Sequence, residues 1–138
     1  MTQVKEIMTR SVEMIQRDDT LQHAAERMRT LDIGALPVGD GKALAGMVTD
    51  RDIVIRGVAA GMIPQEALVS DVMTEDLRCC MEDDTVEQAL AEMGEQQVRR
   101  LPVLNASREI VGIVALGDLA TRQGGHTDEA LREISAPD

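Results

Sequence analysis

The stretch Gly46-Met47-Val48-Thr49-Asp50-Arg51-Asp52 holds the residue types best suited to bind a small ligand. An apolar run, Leu44 to Val48, predicts a strand that passes into a helix beginning at Asp50. A helix start presents unpaired backbone N–H groups and a partial positive charge, which suit a phosphate. The Thr49 hydroxyl adds a donor there. Asp52, in the first turn, can accept two hydrogen bonds from a vicinal diol such as a ribose. Arg51, between two carboxylates, is a further cationic candidate. Residue types alone leave a second reading open, in which Thr49 or Asp50 only caps the helix and Asp52 complements its dipole.

The pattern occurs again as Gly112-Ile113-Val114-Ala115-Leu116-Gly117-Asp118, with the carboxylate kept and Ala115 at the hydroxyl position. It belongs to a longer internal repeat. At a shift of 65, Val4, Met8 and Thr9 fall on Val69, Met73 and Thr74, and Asp18-Asp19-Thr20 falls on Asp83-Asp84-Thr85. Ala24, Met28 and Leu36-Pro37-Val38 fall on Ala89, Met93 and Leu101-Pro102-Val103. One extra residue near Asn105-Ala106-Ser107-Arg108 makes the shift 66, and Gly46, Val48 and Asp52 then fall on Gly112, Val114 and Asp118. The repeats divide the chain into residues 1–65, residues 66–123 and a polar tail, 124–138, with a short helix expected from Asp128 to Ile134.

Each repeat predicts strand, helix, strand, strand, helix, an α/β (α+β) unit. The first strands are expected at Val12 to Ile15 and Leu77 to Met81. Thr20 and Thr85 stand at helix N-caps, and Gln88 completes a capping box with Thr85. Leu21, Ala24, Ala25, Met28 and Leu31 share one helix face, as do Val86, Ala89, Leu90 and Met93. Pro37 and Pro102 predict edge strands or strand starts. A unit of about 60 residues is marginal alone. Two of them packed about a pseudo-twofold axis would bury their sheets and leave a crevice, a natural small-ligand site.

The 138 residues are 43% apolar and 28% charged, a globular composition. Phe, Tyr and Trp are absent, so the core must use aliphatic residues and nine Met. Aromatic cages and base-stacking platforms are excluded. Fourteen basic and twenty-five acidic residues give a net charge of -11, which disfavours nucleic acid and anionic membranes. No apolar run reaches the roughly 18 residues of a membrane helix. The first residues lack signal-peptide character, so the expected compartment is the cytoplasm.

The ordered Met-Thr openings, Asp-Asp-Thr helix starts, Leu-Pro-Val strands and Gly-x-x-Thr-x-x-Asp segment resemble a tandem pair of cystathionine-beta-synthase (CBS) domains, a Bateman module. The likeness covers about Val4 to Thr121 and is similar in detail to small stand-alone bacterial CBS pairs of the hypoxic-response type. It implies a regulatory module, not an enzyme, with no required cofactor and an adenine nucleotide or other adenosyl compound as ligand. In that scheme Asp52 holds the ribose, Thr49 a phosphate, and the backbone at Ser11 and Val12 the adenine edge. Ile33, Gly34 and Ala35 lie against the adenine face. A second, weaker site takes Asp118, Leu77 and Val98. Arg99 and Arg100 supply a phosphate contact or, alternatively, neutralise an acidic surface. Family members associate as dimers, here through Ile53, Val54, Val58, Leu119 and Ala120, and act on a downstream protein.

Two rival functions remain at this level: a ligand-free dimerisation module, and a thiol- or metal-dependent protein using the adjacent Cys79 and Cys80. Neighbouring cysteines make a strained disulfide and an incomplete zinc site, so reduced thiols and no metal are expected. If Cys80 replaces Ile15 in the repeat, one thiol faces a core and the other its opposite side. His23 is expected on an exposed helix face, and His126 lies in the tail.

Overall fold

A computed structural model of the chain describes residues 1–75 and 78–122. Two three-stranded sheets form, each with its strands in sequence order. In the first, β1 (Ile15–Gln16) pairs parallel with β2 (Ala35–Asp40), which pairs antiparallel with β3 (Ala43–Thr49). In the second, β4 (Cys80–Met81), β5 (Arg100–Leu104) and β6 (Ile110–Ala115) pair in the same way. Helices α1 (Leu21–Leu31) and α3 (Val86–Gln96) follow the short strands, and α2 (Asp50–Asp52) and α4 (Leu116–Arg122) follow the third strands. The expected mixed α/β order is present twice.

The helix starts follow the sequence closely. Thr20 Oγ1 accepts from His23 N at 3.1 Å, and Thr85 Oγ1 accepts from Gln88 N at 3.1 Å. Gln88 Oε1 closes the box by accepting from Thr85 N at 2.8 Å. Each such cap stabilises its helix by about 1 kcal/mol. Leu21, Ala24 and Met28 are buried on α1, and Val86, Ala89, Leu90 and Met93 on α3, while Ala25 is exposed. Both helices end on left-handed residues that are not glycine, Asp32 (φ 54°) and Gln97 (φ 55°).

The compact units cut across the sequence repeats. One comprises Glu13–Leu77; the other joins Met1–Val12 to the chain from Arg78 onward. The Met-Thr segments account for this. Thr9 N donates to Ile113 O, and Ile113 N to Thr9 O, both at 2.9 Å. Met47 and Thr74 make the same reciprocal pair at 2.9 Å. A Cβ on Gly46 would lie 2.3 Å from the Thr74 carbonyl oxygen, so glycine is required where this segment crosses β3. Val4 and Met8 thereby enter a core with Leu90, Met93 and Leu101, while Val69 and Met73 enter one with Leu21, Met28 and Leu36.

Three local expectations are corrected. The short strands pair only over Ile15–Gln16 and Cys80–Met81, because only two residues of each meet the neighbouring strand. Pro37 and Pro102 sit in central strands, not edges. β1 reaches only Val38 and Gly39, and β4 only Val103 and Leu104, so each proline has a paired neighbour on one side alone. The proposed dimer surface also changes: Ile53 and Leu119 belong to the two cores. After α2 the chain forms a π turn, Ile53–Gly57, then a 3-10 turn, Val58–Ala60. Gly57 lies against Leu21, and Val54, Ile55 and Val58 project outward, each more than half exposed. Leu77, His126 and the expected helix from Asp128 to Ile134 lie outside the described residues, as does the side chain of Ala120.

Candidate functional site

At the end of β3 the backbone of Thr49 is extended, and the helix begins at Asp50. Thr49 Oγ1 accepts from Asp52 N at 3.0 Å, while Asp52 Oδ2 accepts from Thr49 N at 3.0 Å. This reciprocal box places both side chains on one turn. Asp50 N donates to Gly34 O at 2.9 Å, and Ala35 pairs with Thr49 in the sheet. Asp50 Oδ1 accepts from Arg51 N at 2.8 Å. A Cβ on Gly34 would stand 3.0 Å from Asp50 Oδ2, so glycine lets that carboxylate rest against the start of β2.

Ile33, Gly34, Ala35, Thr49, Arg51 and Asp52 are therefore gathered in one corner of the Glu13–Leu77 unit. Ile33 packs on the core beneath, while Gly34, Ala35 and Arg51 are exposed. The Asp52 side chain is 14% exposed, sheltered yet reachable. Its Oδ1 is not used in the capping box. The Thr49 hydroxyl accepts one bond and keeps its own hydrogen to donate. The corner thus offers an acceptor carboxylate and a donor hydroxyl beside exposed backbone. Capping therefore leaves hydrogen-bonding capacity on both side chains.

The other unit repeats the corner with changed chemistry. Leu116 N donates to Arg99 O at 2.7 Å, and Arg100 pairs with Ala115. Asp118 Oδ2 accepts from Ala115 N at 3.3 Å, but no hydroxyl returns the bond. Leu116, at the position of Asp50, is buried. Val98 packs on the core, and Arg99 and Arg100 are exposed. Ser11, exposed, and Val12, half-buried, belong to this unit also.

Arg56, by residue type a weaker cationic candidate like Arg51, also reaches this corner. Its Nε lies 3.9 Å from Asp52 Oδ1, one turn on. The signal was available as a spacing, because Asp52 and Arg56 recur as Asp118 and Arg122.

Cys80 is buried in β4, with its Sγ 3.9 Å from the Pro102 carbonyl, and burial pushes its thiol up to about 12. Cys79 is half-buried, and burial raises its thiol less far. The two thiols thus differ in burial, with Cys80 in the core as expected for one of the pair. Among the described residues no group of three or more His, Cys, Asp or Glu could hold a metal ion, and no helix is long and apolar enough to cross a membrane.

The repeat that builds these paired corners corresponds to a known family. The family model "CBS domain" matches residues 4–58 and again 69–125. This chain belongs to the CBS domain family. As a CBS pair it is 41% identical over 127 residues to hypoxic response protein 1 of Mycobacterium tuberculosis, spanning 91% of this chain and 88% of that one. Among solved structures it resembles hypoxic response protein I with two coordinated zinc ions (TM-score 0.76, 40% identity, 87% of this chain and 98% of that one). It also resembles the CBS domain pair of protein MJ0100 in complex with 5′-methylthioadenosine and S-adenosyl-L-methionine (TM-score 0.68, 25% identity, 90% and 97%).

Proposed function

We propose that this CBS pair is a regulatory sensor of an adenosyl compound, with no catalytic role. One observation carries the reading. The Thr49–Asp52 box leaves Asp52 Oδ1 and the Thr49 hydroxyl hydrogen outside it, at a strand-to-helix corner that also exposes Gly34 and Ala35. A carboxylate oxygen suits ribose hydroxyls, the hydroxyl a phosphate or other acceptor, and aliphatic surface an adenine face. The adenosyl ligands of the MJ0100 pair support the same chemistry. Asp118 makes the weaker second corner, because Ala115 supplies no donor.

Ligand binding shifts the population of conformations that a downstream protein recognises. The exposed Val54 and Val58 provide apolar surface for a homodimer, which sedimentation at micromolar concentration tests. The decisive experiment is calorimetric titration with AMP, adenosine and S-adenosylmethionine. Saturable binding by at least one supports the sensor reading. Absence of binding by all three at millimolar concentration replaces it with a ligand-free dimerisation module. Because the chain lacks Trp and Tyr, co-purified adenine is also directly visible at 260 nm.

A further inference from the structure

Asp52 is held at one oxygen only by the capping box. Oδ2 accepts from Thr49 N, which leaves the direction of Oδ1 to a second contact. Arg56 provides it: its Nε lies 3.9 Å from Oδ1 across the π turn. The guanidinium has an anchor of its own, since Arg56 Nη1 lies 3.5 Å from the carbonyl oxygen of Val72. Val72 is a core residue, 1% exposed, fixed by the turn at Val69–Asp71. The Val72 carbonyl, Arg56, Asp52 and the Thr49 amide therefore form one chain of contacts within a single unit. An ion pair this long, with its arginine more than half exposed, adds little to stability. It can nevertheless orient a binding group, as supporting contacts around a functional side chain do.

We infer that Arg56 is a positioning residue that aims Asp52 Oδ1 at the diol of a bound ribose. The inference rests on the adenosyl reading of the Asp52 corner and adds a residue to it. Arg56 touches no ligand in this scheme. Its effect is confined to the hydroxyls that Asp52 accepts, and does not extend to the adenine.

The test compares adenosine with 2′,3′-dideoxyadenosine on the full chain. Both probes are neutral, so the arginine charge does not act on a phosphate, and they differ only in the diol. In the unmutated protein adenosine binds about tenfold or more tighter, as hydrogen bonds to a charged acceptor require. Arg56→Gln lowers that ratio by about two- to fivefold, the range of an exposed ion pair, and Arg56→Lys restores part of it. A merely structural arginine would weaken both probes alike and leave the ratio unchanged, which overturns the inference. A measurement on unmutated protein guards against a variant that fails to fold. The Arg56 Nε–H resonance should move on adding adenosine and stay still with the dideoxy probe; equal movement with both also overturns it. If the unmutated protein binds adenosine but shows no preference for the diol, or binds neither probe, the Asp52 reading itself fails.

Discussion

The corners at Asp52 and Asp118 share a backbone and differ in chemistry. Each has a strand end, a helix start hydrogen-bonded to the β2 or β5 side, and a carboxylate accepting from the residue three before it. Asp50 N to Gly34 O and Leu116 N to Arg99 O are the same bond in two units. Only the first corner has the hydroxyl that returns the bond from the helix, and its carboxylate sits at 3.0 Å against 3.3 Å in the second. The first exposes Asp50 where the second buries Leu116. A fold can thus keep the hydrogen bond that makes a corner while losing the donor that would make it a ligand contact. The carboxylate is common to both corners, and the hydroxyl beside it is what sets the first apart.

The largest expected effect breaks the pair outright. Asp52→Ala weakens the tightest adenosyl binding event by about 1.5–3 kcal/mol, because bonds to a charged acceptor are lost. Asp118→Ala leaves that event unchanged, and Thr49→Ala falls between them. Calorimetry on these variants reverses the assignment of corners if Asp118→Ala proves the more damaging.

A second contrast concerns the strands behind the corners. In Gly46→Ala the new Cβ meets a backbone carbonyl, the Thr74 oxygen, at 2.3 Å. In Gly112→Ala its nearest neighbours are the Met8 sulfur at 2.5 Å and Met8 Cγ at 2.9 Å, atoms of a flexible side chain, with the Thr9 oxygen at 3.0 Å. Gly46→Ala should cost about 1–3 kcal/mol and Gly112→Ala less, as read from denaturant midpoints. Equal losses would show that the Met8 side chain cannot yield.

Restoring the missing hydroxyl sharpens the comparison from the other side. Ala115→Thr should stabilise α4 by about 0.5–1 kcal/mol through a new cap, and should strengthen a second, weaker binding event. A rise in melting temperature without any change in that event would confine the hydroxyl to a structural role.

The smallest effect compares the thiols. Cys79 should react first with a thiol reagent at neutral pH, and Cys80 only on opening of the core. The Cys80 pKa is raised in the folded state, from 9.0 to about 12, so above pH 9 the unfolded chain releases a proton that the folded chain keeps. Stability should then fall as pH rises from about 9 towards 12, and Cys80→Ala should flatten that fall. Stoichiometric zinc, lost when both cysteines are changed to Ser, would overturn the expectation of metal-free thiols.

Much of the architecture was legible because local rules govern it. Thr20 and Thr85 mark helix starts by side-chain chemistry, and Asp50 marks the turn out of β3. The helix faces of Leu21, Ala24 and Met28 follow from spacing. Other features depend on distant partners. Nothing local in Val4 or Met8 indicates that they complete the core of the second repeat. Pro37 was read as an edge signal because its strand's neighbours, and how short β1 is, emerge only in the folded sheet. Ile53 and Leu119 were assigned to a surface by apolarity, yet the turn of their helices points them inward. Asp32 and Gln97 end helices in a conformation more often given to glycine. At the candidate corner, the closeness of Thr49 and Asp52 follows from type and spacing, whereas the contact of Arg56 with Asp52 emerges only in the folded chain.

The exchange of Met-Thr segments bears on the order of synthesis. Residues 13–77 can close their own core once they have emerged from the ribosome, because Val69 and Met73 are already present. The first twelve residues cannot do so. Their partners, among them Asp84, Leu101 and Ile113, are made after residue 77, so Val4 and Met8 remain without a core until those residues have emerged as well. A chain paused just after residue 77 has emerged would therefore carry one finished unit and, before it in sequence, an unburied apolar segment that chaperones can bind and proteases can cut.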